Sequence, residues 1–186
     1  MIIFNKNIAE FKNKHVNESC VIVGTGPSIN HTKLESLKKH TIFGVNNGYL
    51  LDINYNYFCI IDEIVWKNHK QYIEKVKCPV FVTNNCEPRN FSNLVRLKRL
   101  DYFNVDSMIN PEYGIWRGDT VVNMCMQIAF YMGFTTIILI GCDCNYSLNG
   151  RHHFDNSKVD NFLREDWGPV FENYIICKNK MKNVFV

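Results

Sequence analysis

Cys20-Val21-Ile22-Val23-Gly24-Thr25-Gly26-Pro27-Ser28 is the stretch from which the fold is read. Four apolar residues between polar Ser19 and Gly24 predict a short strand buried on both faces, as in a parallel sheet. The turn that follows has no bulk. Gly24 and Gly26 are free to take positive φ and to admit a second backbone or a ligand, Pro27 presets φ for the next element, and Ser28 is placed to cap it. A strand that ends in such a turn is expected to offer unpaired backbone N–H groups to a phosphate. The pattern is not the dinucleotide fingerprint, whose third glycine would fall at Ile29, nor a Walker loop, since it lacks the G-K-S/T ending. By itself it is explained as well by a tight structural turn as by a phosphate cradle.

Further strands lie on either side of it in helix–strand alternation. Thr41–Val45 ends on Asn46-Asn47-Gly48, Tyr57–Ile61 on Asp62-Glu63, and Pro79–Val82 on Thr83-Asn84-Asn85. A helix is expected over 64–76, and another from Thr120 to Tyr131, where Val121, Met124, Cys125, Ile128 and Ala129 make one apolar face with Asp119 or Thr120 as N-cap. The strand Thr136–Ile140 follows and closes on Gly141-Cys142-Asp143. A leading helix in 1–18, a short helix or turn over 33–39, a helix over 161–180 and a last strand at 184–186 complete the expectation. Cys86 to Pro111 fits no single element, because Leu94, Leu97 and Leu100 suit a strand or a short helix equally. The alternation implies one domain over 1–186: an α/β, doubly wound, mostly parallel sheet with helices on both faces. Ligands of such sheets bind beyond the carboxyl ends of the strands. Here those ends carry Gly24 to Ser28, Asn46, Asp62 and Asp143, small and polar chemistry gathered on one edge.

Composition narrows the function classes. At 186 residues, 46% hydrophobic and 21% charged, the chain is that of a globular protein. A net charge of +3 with dispersed basic residues gives no nucleic-acid footprint but suits an anionic small molecule. The eight cysteines include no C-x-x-C pair, and several sit in apolar segments; they are expected to be reduced thiols of a cytoplasmic protein, with no metal site. No stretch is long and apolar enough to span a bilayer, so a membrane role would be peripheral; a homo-oligomer stays open.

Other residues invite chemistry. Asn46 suits a base or ribose hydroxyl, whereas Asn47 before Gly48 reads as an Asn-Gly turn with positive φ. Asp62 suits a ribose hydroxyl, a metal or plain solvent. Arg117-Gly118-Asp119-Thr120 stands at a helix start, where the dipole favours an anion. His152-His153, in a loop spanning 145–160 with Tyr146, supplies a base that works near neutral pH.

The run V-I-V-G-T-G-P-S, then G-V-N-N, the strand ending at Asp62, R-G-D-T-V-V-N-M-C-M-Q-I-A-F-Y-M-G-F-T-T-I-I-L-I-G-C-D and H-H-F resembles the motility-accessory-factor and 6-hydroxymethylpterin-diphosphokinase-like domain. It resembles, more distantly, the bacterial sialyltransferases that use CMP-sialic acid. The resemblance implies a Rossmann-like fold that binds a nucleotide at Gly24, Thr25, Gly26, Pro27, Ser28 and Asn46, with Thr120 at the phosphate. It places an arginine at Arg117 and an aromatic hydroxyl near Tyr146, beside the departing phosphate. It implies a glycosyltransferase moving a sugar from a nucleotide donor, CMP-linked, to a glycan or protein hydroxyl, without a required cofactor. Two departures matter. Where the sialyltransferases carry an Asn the chain has Asp62, which tilts toward an ATP- and Mg²⁺-dependent diphosphokinase with Asp62 and Asp143 on the cation. Their catalytic His lies further on, and no His follows His153, so the base falls to His153 or His152 or to a segment beyond, or the reaction is a different one. A nucleotide-binding domain without catalysis is the third expectation.

Overall fold

The computed structural model describes residues 6–86, 92–102, 106, 109–144, 153–155 and 168–181. Its centre is a six-stranded sheet in the order β5-β4-β3-β2-β1-β8. The strands are β1 (Ser19–Val23), β2 (Thr41–Val45), β3 (Tyr57–Ile60), β4 (Val80–Thr83), β5 (Leu94–Leu97) and β8 (Thr136–Ile140), and every pairing is parallel. Arg99–Leu100 (β6) and Ile115–Trp116 (β7) form a separate two-stranded ribbon. The chain lays down β1 to β5 in one direction and then returns to place β8 on the other side of β1. The order therefore reverses between β1 and β8, where an open α/β sheet leaves its crevice.

Both sheet faces are covered, as a Rossmann-like doubly wound fold requires. One face carries α2 (Val121–Tyr131) and α3 (Gly168–Lys180), packed over Cys20, Ile22, Phe43, Val45 and Cys59. The other carries α1 (Glu63–Ile73) over Phe58, Ile60, Val80 and Val82, and the 3-10 segments Pro27–His31 and Leu34–Lys39 over Val21, Val23 and Ile42. Alternate residues of each strand thus feed different cores, which is why the strands read as unbroken apolar runs rather than as alternating ones. All eight cysteines are free thiols, and Cys20, Cys59, Cys78, Cys86, Cys125 and Cys177 are buried.

Several expectations are corrected. The leading helix is a single 3-10 turn, Ile8–Phe11, closed by a capping box between Asn7 and Glu10; Asn13 and Asn17 then take positive φ and stop any helix. The stretch around Leu94 resolves into β5 and β6. α2 is buried on nearly all sides rather than on one face, because β7 and α3 enclose what the sheet does not. α3 turns Val170, Tyr174 and Cys177 inward, with Met181 buried just beyond its end, and leaves Phe171 and Ile175 exposed. The segment 161–167 and the strand expected at 184–186 lie outside the described residues. No described helix is long and apolar enough to cross a membrane.

Gly24 and Gly26 do not take the positive φ expected of them. They are small because β8's end runs against them. A Cβ at Gly24 would overlap the Gly141 carbonyl, and one at Gly26 would stand 2.8 Å from the Gly141 oxygen and 2.5 Å from Asp143 Oδ2. Gly24→Ala is therefore expected to lower stability by about 1–3 kcal/mol, the usual range for overpacking. Urea denaturation checks it through a lower midpoint at unchanged slope.

Candidate functional site

A cavity of about 300 Å³ opens at the carboxyl ends of β1, β2 and β8. Gly24, Thr25, Gly26, Asn46, Asp62, Arg117, Thr120, Asp143 and His153 all line it, so most of the residues singled out in the sequence converge on one space. Pro27 and Ser28 stand just outside its lining. Tyr146 and His152 lie outside the described residues.

The glycine turn does not present a row of free N–H groups. Gly24 N–H donates to Ile140 O and Gly26 N–H to Gly141 O, both at 2.8 Å, so β8 takes two of the donors expected to face a phosphate. Ser28 N–H donates to Asp143 Oδ2 at 2.9 Å, and Ser28 Oγ donates to Asp143 Oδ1. Ser28 thus anchors Asp143 rather than capping a helix. Asp143 is held at the start of the 3-10 segment, a carboxylate placed where an anion is favoured.

Asn46 is different. It follows β2 with φ of 46°, whereas Asn47, expected to hold the positive φ, does not have it. Among the described residues, buried Asn46 Oδ1 has no hydrogen-bond partner. A buried acceptor left unmade costs about 1–3 kcal/mol, which few sites retain without a use for it. The indole N–H of Trp66 is also unpartnered, but it belongs to the apolar cluster under α1 and does not line the cavity. Asn47 is buried and donates through Nδ2 to Asp155 Oδ2 at 3.2 Å.

Both expected helix starts are capped. Asp62 Oδ1 accepts from Ile64 N at 2.7 Å and Val65 N at 3.4 Å, as N-cap of α1. Thr120 Oγ1 accepts from Val122 N at 3.4 Å, as N-cap of α2. Before Thr120, Gly118 and Asp119 both take positive φ, and a Cβ on Gly118 would meet Asn123. Asn123 donates to Gly118 O, while Gln127 brackets Trp116, accepting its N–H at 3.0 Å and donating to its carbonyl at 2.8 Å. Two fully buried amides of α2 therefore set the turn that carries exposed Arg117 to the cavity. They were not singled out in the sequence; their i, i+4 spacing on an otherwise apolar helix is the signal that could have found them.

His153 Nδ1 pairs with Thr25 Oγ1 at 2.9 Å. Burial pushes its pKa below the ordinary imidazole value of 6.5, with the Asp155 carboxylate opposing that shift and His69 adding to it. Tyr174 of α3, which the sequence did not mark as a site residue, also lines the cavity; burial raises its phenol well above the usual value, so it stays a donor. Cys142 and Cys144 line it together, Cys144 with a left-handed φ of 48°.

A model of one protein family, described as 6-hydroxymethylpterin diphosphokinase MptE-like, matches residues 2–149. The chain belongs to that family. No curated protein and no solved structure matches it. The match spans β1 to β8 and every lining residue of this MptE-like site up to Cys144; His153 and Tyr174 fall beyond it. Among the described residues no group of three or more His, Cys, Asp or Glu side chains is arranged to hold a metal ion. A Mg²⁺ that arrives with a nucleoside triphosphate keeps phosphate oxygens and waters and asks one or two carboxylates of the protein. Asp143 has both oxygens engaged by Ser28, whereas Asp62 has Oδ2 outside its cap and fits such a cation.

The lowered His153 pKa fixes a sign. The unfolded chain binds this proton more readily, so the stability it contributes is present above the unfolded value and is lost as pH falls through the folded one. An NMR titration of the His153 ring is expected to give a midpoint below 6.5 in the folded protein, and a neutral ring at pH about 7.

Proposed function

We propose that this protein is a nucleotide-dependent transferase that moves a sugar from a nucleotide donor, CMP-linked, onto a hydroxyl of a glycan or protein acceptor. The observation that carries the reading is Asn46, which lines a cavity at the β1–β8 reversal and whose buried Oδ1 has no hydrogen-bond partner among the described residues. An amide oxygen there accepts from a ribose hydroxyl or a base amino group, and the nucleotide supplies the hydrogen bond the free protein lacks. Arg117 and the amino end of α2 lie on the same wall and suit the donor phosphate. His153, kept neutral by its surroundings, takes the proton of the acceptor hydroxyl. The commitment of Asp143 to Ser28 favours a phosphate held by Arg117 and backbone dipoles.

A second reading is ATP-dependent transfer of a diphosphate to a small alcohol, supported by the description of the family and by Asp62, a cavity carboxylate whose Oδ2 lies outside its cap and suits Mg²⁺. Both readings use the same wall for the nucleotide.

Thermal-shift measurements with CMP, UDP and ATP, the last with and without Mg²⁺, separate them, because a ligand that binds only the folded state raises its Tm. A shift with CMP in the absence of metal is the expected result; a shift with ATP that requires Mg²⁺ favours diphosphoryl transfer, and no shift with any nucleotide refutes both. Asn46→Gly removes the orphaned oxygen and suits the left-handed φ. It is expected to leave stability unchanged or higher by about 1 kcal/mol, and to weaken nucleotide binding by about tenfold or more, the value of a buried hydrogen bond of about 1.4 kcal/mol. Calorimetric titration of the variant reads the binding, and urea denaturation reads the stability.

A further inference from the structure

Three consecutive residues, His153-Phe154-Asp155, are fastened across the carboxyl ends of β1 and β2 at every position. His153 Nδ1 meets Thr25 Oγ1 at 2.9 Å, Phe154 N–H donates to Thr25 O at 2.9 Å, Phe154 O accepts from Asn30 Nδ2 at 3.1 Å, and Asp155 Oδ2 accepts from Asn47 Nδ2 at 3.2 Å. The Phe154 ring packs on the cluster formed by Val21, Val23, Ile29, Leu37 and Ile42. Such fastening exceeds what a surface loop needs. It joins the turn after β1 to the turn after β2 and holds one imidazole at the cavity with one carboxylate near it.

We infer that His153 and Asp155 work as a pair in which Asp155 is the positioning residue for the His153 base, and that Phe154 is the anchor that seats both. This deepens the transferase reading and rests on it. In the tautomer assigned here Nδ1–H donates to Thr25 Oγ1, which leaves the Nε2 lone pair for the acceptor. As the acceptor oxygen forms its bond to the reacting carbon or phosphorus of the donor, its proton passes to Nε2. The bond from that centre to the nucleotide oxygen breaks, and the electron pair leaves with the nucleotide. His153 then carries the proton as an imidazolium and returns it to solvent. The carboxylate of Asp155, fixed by buried Asn47, stabilises that imidazolium; His69 on α1, whose Nδ1 is paired with the Tyr49 hydroxyl at 2.8 Å, acts against it. Tyr49 feels the same carboxylate, and its phenol is raised by burial first and by Tyr72 and Asp155 after it.

The experiment is the pH profile of kcat/KM for release of nucleotide from a CMP-linked sugar or from ATP with Mg²⁺, on the full chain, with the His153 ring titrated by NMR in parallel. Asp155→Asn is expected to move the acidic limb of the profile and the His153 midpoint to lower pH together, and to reduce kcat by about ten- to a hundredfold. KM and the nucleotide-induced thermal shift stay close to those of the unaltered protein. Phe154→Leu keeps most of kcat, whereas Phe154→Ala loses it without losing nucleotide binding. An Asp155→Asn protein whose profile and midpoint coincide with the parent's overturns the pairing. Equal loss in Phe154→Leu and Phe154→Ala, with the fold intact by circular dichroism, overturns the anchor. Nucleotide binding without any His153-dependent turnover overturns the base assignment while sparing the nucleotide site; absence of all nucleotide binding strikes the transferase reading itself and this pair with it.

Discussion

The turn after β1 is sewn to the end of β8 by two backbone hydrogen bonds, and the crevice takes its form from that seam. Gly24 donates to Ile140 and Gly26 to Gly141, with Ser28 closing on Asp143 beyond them. Parallel strands β1 and β8 are distant in sequence, so their register depends on chain that must return past the other helices before it pairs. A side chain at either glycine would hold the two backbones apart. With the seam closed, Thr25 turns its hydroxyl to His153, and Asn46 lines the same cavity.

The opposite wall is ordered from within α2. A helix hydrophobic on all sides would have been enough for packing, yet Asn123 and Gln127 are fully buried in it. Each spends its amide on backbone of the preceding segment, Gly118 in one case and Trp116 in the other. Buried amides that are fully satisfied specify one arrangement, where an apolar contact would allow several. The left-handed residues Gly118 and Asp119 are tolerated because these contacts over-determine the turn. Arg117 is thus presented by a rigid element even though its own side chain is exposed.

Much of this was legible in the sequence. The strand β1, the strand Thr41–Val45 and the α2–β8 unit were readable because each is a continuous apolar or helical-period run with clear punctuation. The convergence of Gly24, Asn46, Asp62, Thr120 and Asp143 followed from the rule that strand ends share an edge. What was not legible had specific causes. Gly24 and Gly26 were read as conformationally free, and nothing local discloses that a strand more than a hundred residues away needs their Cβ space. The left-handed φ fell on Asn46 rather than Asn47, because an Asn-Gly pair signals a turn without saying which residue takes it. Asn5 to Asn17 has helical spacing at Ile8 and Phe11, but asparagines at 13 and 17 favoured turns over propagation. Tyr174 was visible only as one apolar position among three on α3, and the helix rotated so that it, not Phe171 or Ile175, faced inward.

The thiols described with the fold have a consequence of another kind. Cys20 on β1, Cys59 on β3, Cys125 on α2 and Cys177 on α3 are all fully buried, and burial raises the Cys20, Cys125 and Cys177 thiols far above the usual range. A thiol that is neither ionised nor accessible reacts with an alkylating reagent only when its element opens. The native cysteines therefore report, strand by strand and helix by helix, how often each part of the sheet comes apart, without a label being added to the chain.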